Sequence, residues 1–263
     1  MEPSTNIQAP ASPPASPLRD AKVHHYTKPT KAPRFPRNPC PSAHHTLSLI
    51  SSEADAQRLF GKSFSIRSPT TGELLGPFAL LAYTDHWIYN YCAYVHRVIS
   101  TPLFSLRERE LAVLAVAGTT QAQYVKYAHG QIGASIGLHD DIVESALAGF
   151  CLTDSPHLSP REKTIYRLAL EMAQNWGRVS DSTWRDVVTR DKPKARGQQG
   201  WLEQEDELWE DVEVDGRKVE TDEGRLTREE VATLTQVVAS GMFVSVLVNC
   251  ADVEVPGEVG REP

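Results

Sequence analysis

Cysteine is scarce and scattered, with Cys40, Cys92, Cys151 and Cys250 the four in a chain of 263 residues. No two lie at metal-ligand or Cys-x-x-Cys spacing, which argues against a zinc ribbon, a local dithiol centre or a secreted disulfide scaffold. Isolated thiols in a reducing, cytoplasmic setting are the expectation. Positive charge is not in excess either: 27 Lys and Arg stand against 34 Asp and Glu, a net charge of -7. That balance argues against nonspecific binding to nucleic acid or to an anionic membrane. Phosphate loops, dinucleotide fingerprints, zinc-protease motifs and nucleophile elbows are all absent. Alternating strand patterns are lacking outside one short stretch, so the fold class is all-α, a helical bundle.

One long apolar run exists, Val231 to Cys250, and it raises the question of a membrane span. Thr233, Thr235, Gln236, Ser240, Ser245 and Asn249 interrupt it, which favours a buried helix or a subunit interface. The first 45 residues have no apolar run of signal-peptide type and are rich in Pro, Ser and Ala. Such a segment buries too little to offset its ordering entropy, so a disordered tail is expected over 1–45. A mitochondrial presequence is the alternative, but the prolines would break the amphipathic helix it requires.

What the chain does have is a repeated grammar of helix starts and stops. Gly76-Pro77 opens an apolar pattern to about Ser100, read as one long helix. Ser105-Leu-Arg-Glu108 is a capping box, and its helix should end near Gly118. A helix over about Gln121 to Ile136 should stop at Gly137, and Asp140-Asp141 suit the start of the next, which ends near Gly149. Ser159-Pro-Arg-Glu162 is a second box, for a helix to about Trp176. Ser180 or Asp181 begins a short helix to about Val188, and Thr227-Arg-Glu-Glu230 caps the last one. The helical domain thus covers 46–256, interrupted by an acidic insertion over 190–225. That insertion reads as solvated and poorly ordered, with a small hairpin at Asp215-Gly216 as the alternative.

Two polar residues stand out once these helices are placed. His129 shares a helix face with Ala122, Val125, Ile132, Gly133 and Ile136, so partial burial is expected. Glu110 falls in the first turns of the helix capped by Ser105. Taken alone, the histidine could be a hydrogen-bonded core residue and the glutamate a solvated one beside Arg107, Glu108 and Arg109. Asp85, His86, Trp87 and His96 are weaker candidates, because His86 and His96 would sit about 15 Å apart along one helix, too far for a shared metal.

The stretch GELLGPFALL, then LREREL-VLAVAG, then YVKYAH followed by GASIGL, resembles the carboxymuconolactone decarboxylase/alkylhydroperoxidase D family over roughly 80 residues. LSPREKTIYRLALEM and LTREEVATLTQVVA extend the likeness more loosely. The resemblance implies an alkylhydroperoxidase D-like bundle assembled as a trimer or hexamer, with the final helix and its Met242, Phe243, Val246 and Leu247 at an interface or in the core. In the peroxidase branch a glutamate precedes a histidine by 19 residues, and a Cys-x-x-Cys pair lies seven and four residues before that histidine. Glu110 and His129 match the first pair. Ala122 and Val125 occupy the cysteine positions, so thiol peroxidase chemistry is not expected. The decarboxylase branch carries Tyr-Glu-Trp-x-x-His, where this chain reads Tyr124-Val125-Lys126-Tyr127-Ala128-His129.

The resemblance therefore implies a cofactor-independent decarboxylase or isomerase of a small carboxylated lactone or related acid. In that reading His129 is the acid/base, Glu110 orients it, and Tyr124 or Tyr127 donates to a developing enolate oxygen. No metal or cofactor is expected. The competing reading is a catalytically degenerate member serving as a binding or scaffold subunit.

Overall fold

The computed structural model describes residues 34–35, 74–84, 87–189, 224–251 and 255. The expected tail over 1–45 (save 34–35), nearly all of the 190–225 insertion with its Asp215-Gly216 turn, and Asp85 and His86 lie outside the described residues. Among the described residues every regular element is a helix: α1 Pro77–Leu81, α2 Trp87–Ile99, α3 Leu106–Thr120, α4 Gln123–Ser135, α5 Asp140–Leu147, α6 Pro160–Gln174, α7 Asp181–Val187 and α8 Arg228–Ala251. The all-α reading holds. One isolated parallel bridge, Val188 to Leu226, ties the end of α7 to the approach of α8.

The long helix expected from Pro77 to Ser100 is two helices. Backbone amides of Tyr83 and Thr84 turn back to the carbonyls of Leu80 and Leu81, and the Thr84 hydroxyl donates to Leu81 O at 2.8 Å. This tightened last turn closes α1 by satisfying its orphan carbonyls. The α3 helix runs two residues past Gly118, because Thr119 and Thr120 bond back to the carbonyls of Ala115 and Val116. Gln121, at φ 54°, then ends it in the left-handed region. Gly137 and Gly149, both at φ 79°, close α4 and α5 where expected.

Helix α3 is the hub, packing on α6, α8, α4 and α5. Its Leu111, Leu114, Ala115 and Val116 are fully buried, against partners that include Leu168 and Leu234. Small residues set the closest approaches. A Cβ at Gly118 would collide with the carbonyl of Ala146, so the glycine lets α3 and α5 touch backbone to backbone. Gly76, at φ 58°, both takes a backbone shape that L side chains avoid and presents a bare Cα to the ring of Tyr124.

Three capping boxes begin α3, α6 and α8, at Ser105/Glu108, Ser159/Glu162 and Thr227/Glu230. Their glutamates do double duty. Arg161 Nε donates to Glu108 Oε1 at 2.7 Å and its Nη2 to Glu230 Oε1 at 2.6 Å, while Arg107 Nε donates to Glu162 Oε1 at 2.9 Å. Local capping and long-range helix registry are therefore one network. The guanidinium of Arg161 also lies 5.7 Å from the Phe104 ring centroid, within cation–π range.

By length and composition α8 could cross a membrane, yet 44% of its apolar window is buried inside the fold. It packs against α1, α2, α3, α4 and α6 through residues such as Leu234, Val237, Val238 and Val248. Ala232, Gln236, Ala239, Phe243, Val246 and Cys250 are exposed along its other side at alternating spacings of four and three residues, with Tyr94 Oη donating to Gln236 Oε1 at 3.2 Å and the Phe243 ring 6.2 Å from that of Tyr91.

Candidate active site

The Ser105 box fixes where α3 starts, and so places Glu110 in its second turn. Eleven residues later the chain reverses at Gln121-Ala122. The reversal is held by Gln121 N to Ala117 O at 3.0 Å, a short bond from the Gln121 amide to Gly118 O, and Lys126 Nζ to Gln121 Oε1 at 3.0 Å. His129 lies eight residues beyond the corner. At 1.5 Å per residue the two positions are about 12 Å and about 16 Å from the turn, close enough for their side chains to come level.

They meet. His129 Nδ1 lies 2.8 Å from Glu110 Oε1, across 19 residues. Glu110 is 5% exposed, whereas the His129 side chain retains 27% of its surface. A carboxylate accepts and cannot donate, so the bond assigns the Nδ1 proton to the imidazole and leaves Nε2 free. The arrangement is an oriented acid/base, with its carboxylate buried in the protein and its imidazole part-exposed.

Ala122 and Val125 share the His129 face and are buried, so the positions facing the pair on this helix carry apolar side chains without a thiol. Cys92, Cys151 and Cys250 are free, and burial pushes the Cys92 thiol up to about 11.

The two tyrosines are placed differently. At 100° per residue, Tyr127 and Tyr124 lie about 160° and about 140° around α4 from His129. Their ring centroids are 5.9 Å apart, in a cluster with Leu75, Ala117 and Val248. Burial is the main cause that raises the Tyr124 hydroxyl pKa, and nearby Tyr91 and Tyr127 add to it. The structure thus joins Glu110 with His129, and sets Tyr124 and Tyr127 on the other side of the helix. His96 is exposed on α2 and Trp87 is 72% exposed, with no link to the pair.

Two cations were not singled out from sequence. Arg109 is partly buried, and its Nε is buried without a hydrogen-bond partner. Burial lowers its pKa, opposed by the charge of Glu110. Lys126 is likewise depressed by burial. Neither makes an ion pair with an acid among the described residues. The signal was available in both cases, as a charged residue next to Glu110 and one a helical turn before His129.

Compared with family models, curated proteins and solved structures, the chain gives no match.

Proposed function

We propose that this is a carboxymuconolactone decarboxylase-like protein acting without a cofactor on a small carboxylated lactone or related acid. The observation that carries the reading is the 2.8 Å contact between buried Glu110 and part-exposed His129. In the reaction, the bond from the substrate to its carboxylate breaks and carbon dioxide leaves. The electron pair spreads into the conjugated carbonyl, and His129, protonated at Nε2, delivers a proton to carbon. Glu110 holds the ring in position and offsets the imidazolium charge. Arg109 and Lys126 add positive charge to the same hairpin, which suits an anionic substrate. Because Tyr124 and Tyr127 fall on the far side of α4, the role given to a tyrosine in the family-based expectation is not needed here. The test is a panel of carboxylated lactones and conjugated keto acids, scored by carbon dioxide release with wild type and His129→Ala.

Assembly belongs to the same proposal. The exposed α8 seam repeats at four and three residues, the spacing that lets two helices interlock, and Ala232 and Ala239 permit close approach. A second copy of the chain is its occupant. Light scattering should show a dimer or larger species, and Val246→Glu with Phe243→Glu should reduce it to monomer. A wild-type monomer at all concentrations would contradict this.

The reading of a degenerate scaffold subunit draws on Ala122 and Val125 at the cysteine positions and on Val125-Lys126 in place of Glu-Trp, and the seam is compatible with it. It differs in predicting that no substrate in the panel turns over.

A further inference from the structure

We infer that His139, Asp141 and His157 form a surface site for a divalent ion of the zinc class, separate from the Glu110–His129 pair. His139 is the residue before α5, Asp141 lies in its first turn, and His157 sits in the loop ahead of the Ser159 cap of α6. The start of one helix and the loop before another thus bring three donor side chains together, their ligand atoms all within 4.8 Å of one another. It is the sole group of three metal-ligating residues of this kind among the described residues.

The spacing is close to a coordination shell. Ligands bonded to zinc at about 2.0–2.2 Å in a tetrahedron stand about 3.3 Å apart. His139 Nδ1 and Asp141 Oδ2, at 3.5 Å, already span such an edge. Only His157 must close in. Its ring now stacks on that of His139, with centroids 4.0 Å apart and planes 4° from parallel. Lone pairs of parallel rings cannot converge, so binding requires one ring to turn and the stack to open. All three side chains are exposed, and that rotation meets no core packing. The cost is a weak cap, Asp141 N to His139 Nδ1 at 3.3 Å. Two imidazoles and one carboxylate select zinc, copper(II) or nickel over magnesium or calcium, which prefer oxygen throughout.

Titration calorimetry of the full chain with zinc chloride, and copper(II) electron paramagnetic resonance, test the site. The substitutions are His139→Asn, Asp141→Asn and His157→Gln, the first chosen because asparagine preserves an N-cap acceptor. One bound equivalent is expected in wild type, weakened roughly tenfold or more by each substitution, with two nitrogens coupled to copper and unchanged helical circular dichroism. A variant lacking His24, His25, His44 and His45 should keep that equivalent. Survival of the equivalent in all three site variants, its loss in the tail variant, or equal binding of magnesium would overturn the assignment.

Discussion

Replacing His129 by alanine should lower turnover of a responsive substrate by about 10²- to 10⁴-fold, the usual contribution of a positioned general acid or base. The protein should stay folded, because the ring is part-exposed and the core contacts of α4 are made by its neighbours Ala122, Val125, Ala128 and Ile132. Stability should nevertheless fall, since Glu110 would be left in the interior with its bonded partner gone. Removing one member of a buried ion pair costs about 3–5 kcal/mol, and the exposure of the imidazole places this case below that range. His129→Gln separates the two effects, because its amide can donate to Glu110 yet cannot deliver a proton. An activity loss shared by both variants, with stability restored only in the glutamine form, is the expected pattern. Unchanged turnover in either variant would remove His129 from the reaction.

The second large effect is structural. Arg161→Leu should destabilise the fold by about 2–3 kcal/mol, read from chemical denaturation midpoints. The arginine is 31% exposed, whereas Glu108 and Glu230 are only 12% and 16% exposed. Losing it strips both carboxylates of their ion-pair partner, while their capping bonds remain. Acid should have a related effect. Burial alone would raise the Glu230 carboxyl, but bonds from Arg161 and from the Thr227 cap outweigh it and hold it below the ordinary 4.5. Burial likewise works against Glu162, whose Ser159 cap and Arg107 bonds prevail. A depressed folded-state pKa gives stability that is present above the unfolded value and lost as pH falls through the folded one. Wild-type thermal midpoints should therefore drop below about pH 4.5. The slope should be shallower in Arg161→Leu, where the depression of Glu230 is relieved. Parallel slopes would show that the network does not couple to acid stability.

The helix starts were legible because a capping box is local: Ser105, Ser159 and Thr227 each find their glutamate three residues on. The ends were less so. Gly137 and Gly149 announce a left-handed residue, whereas Gln121 adopts one without any glycine to mark it. The α1–α2 break escaped because the apolar spacing runs straight through Tyr83 and Thr84. Arg161 is 53 and 69 residues from its two acid partners, a separation that no local pattern encodes. Glu110 and His129 could be paired only through the family's 19-residue spacing, since their meeting depends on the turn at Gln121. Tyr124 and Tyr127 entered as candidates through the family resemblance, and helical phase sets both on a different face of α4 from His129.

The proposed site depends on Glu110 fixing the His129 ring with Nε2 toward the substrate. Nitrogen-15 NMR of the His129 side chain, above the pH at which imidazole is neutral, reads this directly and needs no substrate. The expected spectrum is the Nδ1–H tautomer with an unprotonated Nε2, lost in Glu110→Leu. An Nε2–H tautomer in wild type, or a spectrum indifferent to Glu110, would contradict the proposed site.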